Sequence, residues 1–246
     1  MDRQILKTYR ICLYDNRRQP NKDFFFGQTL LHKCVEYYSH RKDLIEIFLT
    51  AYPKALSKSD DNGFLPLHCA LISATSTPTL ELIQLLIERD PETILCPTLA
   101  GSLPLHLACQ NGCHIPIVKY LMDNFPGAIR YREKQGLFPL DHAPEDSGVA
   151  SSTCDARYDN VVELLVRAYP VLLSFLDDRG RLPLHRILAK RMIDKTVDLL
   201  VEYCPGALRY QDQMSGQMPL LQACCQNKTL SQVYSLVRKW PEQVTT

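Results

Sequence analysis

The phrase Gly-x-Leu-Pro-Leu-His, repeated along the chain, constrains the fold more than any other sequence feature. Close and weaker copies begin at Gly27, Gly63, Gly101, Gly136, Gly180 and Gly216, and these glycines lie 36, 38, 35, 44 and 36 residues apart. A period of this length is typical of a repeat array, in which each repeat buries its apolar face only against its neighbours. The sequence therefore predicts one stacked array rather than a domain with a single central core. We name each repeat after its glycine.

A second landmark of each repeat is a group of apolar residues that precedes an X-Pro pair. In the Gly27 repeat, Ile45, Phe48 and Leu49 lie eight, five and four residues before Pro53. This spacing predicts one face of an α-helix, which ends here because the residue before a proline disfavours helical geometry. Another apolar residue, Leu56 in this repeat, comes three positions after the proline. We expect it to fold the helix exit back onto the stack.

The segment between each X-Pro pair and the next glycine predicts a turn. The glycine follows the proline by 10 or 11 residues, and polar residues such as Asp60–Asn62 come directly before it. Asp or Asn followed by Gly favours a turn because glycine adopts positive φ without strain. The proline of Leu-Pro-Leu-His suits the first position of a new helix, where its missing N–H is not needed. Each repeat is thus predicted to contain a turn, a short first helix, a connection and a second helix.

The longest repeat, that of Gly136, places its extra residues between its two helices. This segment, Pro144–Asn160, includes the run Ser151–Thr153 and is the low-complexity part of the chain. We expect it to be a solvated insertion. A loop that contacts a partner or carries a phosphorylation site is the alternative.

These motifs resemble the ankyrin repeat. The run Leu103–Ala108 is similar to the Thr-Pro-Leu-His-x-Ala phrase that opens the first ankyrin helix, with leucine in place of threonine. The Tyr-Pro-x-Ala-Leu exit of the second helix is similar to ankyrin arrays of diatoms and related algae. The resemblance implies an all-α repeat solenoid of about six ankyrin-type units over residues 23–246, curved with a concave face. Residues 1–22 are expected to form an N-terminal cap segment. A tetratricopeptide array, the alternative fold, lacks the glycine-centred turn.

Charge and hydropathy exclude several classes of partner. The chain has 28 Lys and Arg against 27 Asp and Glu, so no overall field favours nucleic acid or an anionic membrane. The N-terminus lacks the apolar stretch of a signal peptide, and the most apolar region, 164–176, is interrupted by Arg167 and Pro170. Ten cysteines are too few for a disulfide scaffold. We therefore expect a cytoplasmic or nuclear protein with reduced thiols and no nucleic-acid or membrane partner.

The sequence offers only weak evidence for a catalytic or metal-binding site. The resemblance implies that the histidine five residues after the glycine bonds to the turn and to the adjacent repeat, a structural role for His32, His68, His106 and His185. Cys109, Cys113 and His114 are the tightest group of potential ligands, but a zinc site would need a second ligand pair nearby. Nucleophile, phosphate-loop and metalloprotease motifs are absent from the sequence. We predict no catalytic residue, no cofactor and no metal, and a thiol- or zinc-dependent enzyme is the least favoured function.

The expected function is that of a non-catalytic scaffold for protein–protein interaction. The resemblance implies that a partner contacts the turn tips and first helices on the concave face. The predicted partner-binding residues are Phe25, Phe26, Tyr37, Asp61, Asn62, Phe64, Gln110, Lys134, Gln135, Arg179, Arg181 and Lys190. A structural spacer, or a fragment of a longer ankyrin protein without its own partner, is the alternative.

Two clusters refine the expected partner. The aromatic residues Phe25, Phe26 and Tyr37 are typical interface anchors, although they could instead form a cap with Ile5, Leu6 and Tyr9. The Gly180 repeat is rich in basic residues, which include Arg179, Arg181, Arg186 and Lys190. We therefore expect a protein partner that offers an acidic segment.

Overall fold

A computed structural model describes residues 27–73, 78–142, 155–189, 194–225 and 230–239. The expected cap segment 1–22, the aromatic residues Phe25 and Phe26, and Lys190 lie outside these ranges. The chain divides into two compact units, residues 1–107 and 108–246, which we call the N-terminal and C-terminal units. All regular secondary structure in the described ranges is helical, as an all-α repeat fold requires.

Helices of the N-terminal unit alternate between a short first helix and a longer second helix. They are α1 (Leu30–Tyr37), α2 (Lys42–Ala51), α3 (Pro66–Ile72) and α4 (Leu80–Arg89), and α5 (Pro104–Gln110) begins in this unit. Helix α1 packs against α2 and α3, and α3 packs against α4. Ile45, Phe48 and Leu49 are buried, which confirms the helical stripe predicted from their spacing.

The C-terminal unit continues the alternation with one irregular repeat. Its helices are α6 (Ile115–Asn124), α7 (Asp155–Ala168), α8 (Pro183–Ala189), α9 (Asp194–Tyr203), α10 (Pro219–Cys225) and α11 (Leu230–Lys239). In the Gly136 repeat the described part of the first helix, Pro139–His142, is a 3-10 helix. Helix α9 packs on α7, α8 and α11, and α10 packs on α8 and α11.

The prediction of a loop throughout 144–160 was wrong at its C-terminal end. Helix α7 already begins at Asp155. Its first turns, 155–160, are almost entirely polar, and the apolar stripe starts only at Val161. Hydrophobic periodicity therefore gave no signal for these turns, because their sequence contains no repeated apolar positions.

Each second helix followed by a described X-Pro exit ends two residues before that proline. The chain then forms a 3-10 turn: Pro53–Ala55, Pro91–Leu95, Pro126–Arg130, Pro170–Ser174 and Pro205–Arg209. The apolar residue three positions after each proline is buried in these exits: Leu56, Ile94, Ile129, Leu173 and Leu208. This burial confirms that the residue folds the exit back onto the core.

Among the helices of the described ranges, none combines the length and the hydropathy that a membrane-spanning helix needs.

Candidate functional site

In the Gly63, Gly101, Gly180 and Gly216 repeats, the opening turn is closed by backbone hydrogen bonds and by one buried side chain. In the Gly63 repeat, the Asp60 N–H donates to the Phe64 carbonyl at 2.9 Å, and the Gly63 N–H donates to the Asp60 carbonyl at 3.0 Å. Asp60 Oδ1 accepts from the amides of Asn62 and Phe64, at 2.9 and 2.8 Å. Gly63 has φ +77°. The turn is therefore held from within, while Asp61 and Asn62 are exposed.

The same construction recurs in the Gly180 repeat. Asp177 Oδ1 accepts from the amides of Arg179 and Arg181, at 2.9 and 2.8 Å. Burial raises the pKa of Asp177, but the Arg181 amide and the charges of Arg181 and Arg186 outweigh it, so the pKa lies below its usual value. The carboxylate is thus ionised near neutral pH and available to accept both bonds. In the Gly101 repeat a hydroxyl takes the place of the carboxylate. Thr98 Oγ1 accepts a hydrogen bond from the Ser102 amide at 3.2 Å.

Neighbouring turns within each unit touch. The Leu99 amide donates to the Asn62 carbonyl at 3.1 Å. A Cβ at Gly63 would lie 2.7 Å from the Leu99 nitrogen, so this glycine is required both for its φ and for the approach of the next turn. In the C-terminal unit, a Cβ at Gly136 would meet the Asp178 carboxylate in the same way. We call the exposed residues of these turns the tip residues.

Most described members of the predicted partner-binding set are exposed. The exposed ones are Tyr37, Asp61, Asn62, Gln110, Lys134, Gln135 and Arg179. Phe64 and Arg181 are half-buried, and the Phe64 ring contacts the His68 imidazole edge-on at 5.9 Å between centroids. Two further tip residues are apolar and strongly exposed, Leu99 at 61% and Met214 at 73%. Both lie two residues before the repeat glycine, a turn position that the repeat register marks as a contact position.

The repeated histidines belong to the frame. His32 Nδ1 accepts from the Thr29 amide at 3.0 Å, and Nε2 lies 2.8 Å from the Phe64 carbonyl. Because Nδ1 accepts a hydrogen bond, the proton of the neutral ring is on Nε2, which donates to the next repeat. His68 makes the same two bonds, to the Leu65 amide at 3.0 Å and the Cys96 carbonyl at 3.1 Å. These bonds confirm the predicted structural role.

Burial makes these imidazoles poor acid–base groups at neutral pH. His68 is fully buried, and burial lowers its pKa from 6.5 to about 4. Burial also lowers the pKa of His32 and of His185, whose Nε2 lies 3.0 Å from the Tyr210 carbonyl. Each ring is therefore held neutral as a hydrogen-bonding group between repeats.

The candidate cysteine group does not offer thiolates. Cys109 and Cys113 are buried, and burial raises the pKa of Cys113 to about 12 and that of Cys109 still further. A thiolate is the form that binds metal or attacks a substrate, whereas these thiols are protonated at neutral pH. His114, the third residue of the group, is exposed. The described ranges contain no group of three His, Cys, Asp or Glu side chains that could hold a metal ion.

The Gly136 repeat carries a residue that sequence reasoning did not recognise as functional. Asp141 occupies the position of the repeated histidine, five residues after the glycine. Its Oδ2 accepts from the Phe138 amide at 2.9 Å, the bond that imidazole Nδ1 accepts elsewhere. Its Oδ1 accepts from Arg186 Nε at 2.6 Å, across 45 residues of chain. Arg186 is only 5% exposed, so it is not part of a basic surface of the Gly180 repeat.

Other cations of the Gly180 turn and of the turn before it are partly neutralised. Arg181 forms an ion pair with the buried Asp177 carboxylate at 3.0 Å. Arg132, on the preceding turn, lies 3.6 Å from Asp178 and donates to the Leu176 carbonyl. Lys134 and Arg179 are exposed and have no ion pair among the described contacts. The surface therefore carries less free positive charge than the sequence indicates.

Comparison with known proteins agrees with this architecture. A family model described as ankyrin repeats (many copies) matches residues 86–143. The SMC5-SMC6 complex localization factor protein 1 of Bos taurus is 30% identical over 118 residues, which are 47% of this chain and 10% of that protein. The protein of the same name from Homo sapiens is 29% identical over 118 residues, with the same coverage. The chain thus spans about a tenth of the length of these relatives.

Solved structures share the fold at low sequence identity. The ankyrin repeat domain of Bcl-3, described as a unique member of the IkappaB protein family, has a TM-score of 0.64 at 22% identity, with 87% of each chain covered. A chain in the complex of the predatory endopeptidase Bd0816 from Bdellovibrio bacteriovorus with the immunity protein Bd3460 has a TM-score of 0.65 at 15% identity. That match covers 85% of this chain and 97% of the other. The family match to residues 86–143 and the fold shared with these structures show that this chain has an ankyrin-type repeat fold.

Proposed function

We propose that this chain is a non-catalytic scaffold that binds a protein partner through its tip residues and first helices. The observation that carries the proposal is the contrast between buried frame residues and exposed tip residues within the repeats. Frame residues such as His68 are buried and make the same contacts from repeat to repeat. Tip residues are exposed and differ in chemistry, with Asp61 and Leu99 in one unit and Lys134 and Arg179 in the other. Side chains that the fold does not need are the ones free to contact a partner.

The family supports the general part of this function. Ankyrin repeats generally mediate protein–protein interaction, and their fold is typically a non-catalytic module. The bovine relative is by name a factor for localization of the SMC5-SMC6 complex. One structural neighbour comes from a complex of an endopeptidase with an immunity protein. By analogy, we place the contact on the concave face of the array and the protein in the cytoplasm or nucleus.

The tip residues suggest which chemistry the partner presents. Among the tip residues of the C-terminal unit, Lys134 and Arg179 are exposed cations, which suit an acidic segment. Exposed apolar tips at Leu99 and Met214 suit apolar anchor residues. The expected partner therefore combines apolar anchors with acidic side chains. Residues 1–22 remain proposed as a cap and 23–246 as the repeat array, with Phe25, Phe26 and Lys190 as proposed contacts.

Site-specific photo-crosslinking in the source cell tests the location of the contact. A photoreactive amino acid would be placed at Leu99 and at Arg179, one tip residue in each unit. The matched controls are Glu88 on α4 and Lys119 on α6, exposed positions on the second helices of the same two units. We expect the two tip positions to capture one common protein that the controls do not capture. Capture from the second helices alone, or equally from all four positions, would contradict a tip-based binding surface.

A further inference from the structure

The buried pair of Asp141 and Arg186 connects two neighbouring repeats. Both side chains are almost inaccessible, at 2% and 5% exposure, and Arg186 Nε donates to Asp141 Oδ1 at 2.6 Å. Removing one partner of such a pair leaves an uncompensated charge in the interior, which is strongly unfavourable. The two residues are therefore a coupled feature of the C-terminal unit.

The same guanidinium also reaches the turn of its own repeat. Arg186 Nη1 donates to the Arg181 carbonyl at 2.8 Å and lies 3.8 Å from Asp177 Oδ2. Asp177 is the carboxylate that accepts from the amides of Arg179 and Arg181 and so closes this turn. An unbroken series of contacts thus runs from Asp141 through Arg186 to the turn that presents Arg179.

Repeats of the N-terminal unit form the same turn without this pair. The residues equivalent to Asp141 and Arg186 are His32 with Cys69 in one pair of repeats, and His68 with Leu107 in the next. There the turn of Asp60 is closed by the carboxylate and the backbone alone, with no cation at the equivalent position. The arginine is therefore an addition to a turn that can form without it.

We propose that Asp141 and Arg186 are a positioning pair that sets the turn Asp177–Arg181, and with it the direction in which Arg179 is presented. The consequence for binding rests on the proposed function, since Arg179 is one of its contact residues. The positioning itself is a property of the isolated chain. Because both charges are withdrawn from water, the effect is expected to persist at high salt, unlike that of an exposed ion pair.

A double substitution separates positioning from stability. Asp141→His with Arg186→Leu installs the pair His68 and Leu107 that the chain already uses, so the charges are removed together. We expect the free energy of unfolding of this variant to be close to that of the unaltered chain. Amide exchange at Arg179 and Arg181, followed by NMR, should nevertheless be about tenfold faster or more, because the turn has lost its anchor. Unaltered exchange at these two amides would overturn the proposal.

Two further variants complete the test. Arg186→Lys keeps the charge but cannot reach Asp141 and the Arg181 carbonyl with one rigid planar group, so we expect the same acceleration at the turn. Lys119→Ala, an exposed change on α6 of the same unit, is the control and should leave exchange unaltered. Loss of folding in both the double variant and Arg186→Lys would also overturn the proposal, since the pair would then be needed for the fold as a whole. If amide exchange in the double variant is accelerated as expected but crosslinking from position 179 is not reduced, the positioning role stands. That result would contradict only the proposed function, in which Arg179 contacts the partner.

Discussion

Acidification should destabilise this array through buried imidazoles such as that of His68. Burial lowers the pKa of His68 from 6.5 to about 4. Above pH 6.5 the ring is neutral in both the folded and unfolded chain, so the titration has no effect on stability. As the pH falls through 6.5, the unfolded chain takes up a proton that the folded chain excludes, and the free energy of unfolding decreases until about pH 4.

The size of this decrease follows from the shift. The difference between 6.5 and about 4, at about 1.4 kcal/mol per pH unit, gives an upper value of about 3.5 kcal/mol for His68. His32 and His185 have lowered pKa values and add losses of the same sign. Asp177, whose pKa is depressed below its usual value, loses its contribution only at more acidic pH, as the carboxylate becomes protonated. The histidine effect is therefore visible first as the pH is lowered.

Urea unfolding at constant ionic strength, from neutral pH to about pH 4.5, measures the effect. The His68→Gln variant should be less stable at neutral pH, because it loses buried hydrogen bonds, but its stability should depend less on pH. His114→Gln replaces an exposed imidazole and should keep the pH dependence of the unaltered chain. If His68→Gln retained the full pH dependence, the assignment of acid sensitivity to this buried ring would be refuted.

Two other perturbations probe the turns and the thiols. Gly63→Ala should lower the free energy of unfolding by about 2 kcal/mol or more in thermal or urea melts, because φ is +77° and the new Cβ would lie 2.7 Å from the Leu99 nitrogen. Gly206→Ala, whose Cβ would meet no atom within 4 Å, should leave the melt nearly unaltered and serves as its control. In the native protein, iodoacetamide should label the exposed Cys225 well before the buried Cys113, as measured by mass spectrometry of quenched samples; equal rates would contradict the burial of that thiol.

Regular parts of the fold could be predicted from the sequence because they depend on local chemistry. The apolar spacing of Ile45, Phe48 and Leu49 indicates a helix face, and Gly63 marks a turn that needs positive φ. The start of α7 at Asp155 could not be predicted in this way, because its first turns are polar. The 3-10 geometry of Pro139–His142 also escaped prediction, since this segment opens with the same proline as the α-helical first helices.

The candidate site was less predictable because its electrostatics depend on contacts between distant residues. Counting charges places Arg186 on a basic surface, as arginine is rarely fully buried unless it is paired. Its partner Asp141 lies 45 residues earlier and comes near only when the repeats stack. The repeat register predicts which tip positions are exposed. Which of their charges are neutralised by ion pairs can be determined only from the structure.

The chemistry of the histidine position explains why the two departures from the repeat frame occur together. A neutral imidazole accepts one hydrogen bond and donates another, so His68 serves the Leu65 amide and the Cys96 carbonyl with a single group. A carboxylate can only accept. When Asp141 replaces the imidazole it still caps the Phe138 amide, but the bond to the next repeat must be donated from the other side. Arg186 is that donor. We therefore expect that, in such an array, an acidic residue five positions after one repeat glycine is accompanied by a basic residue six positions after the next repeat glycine.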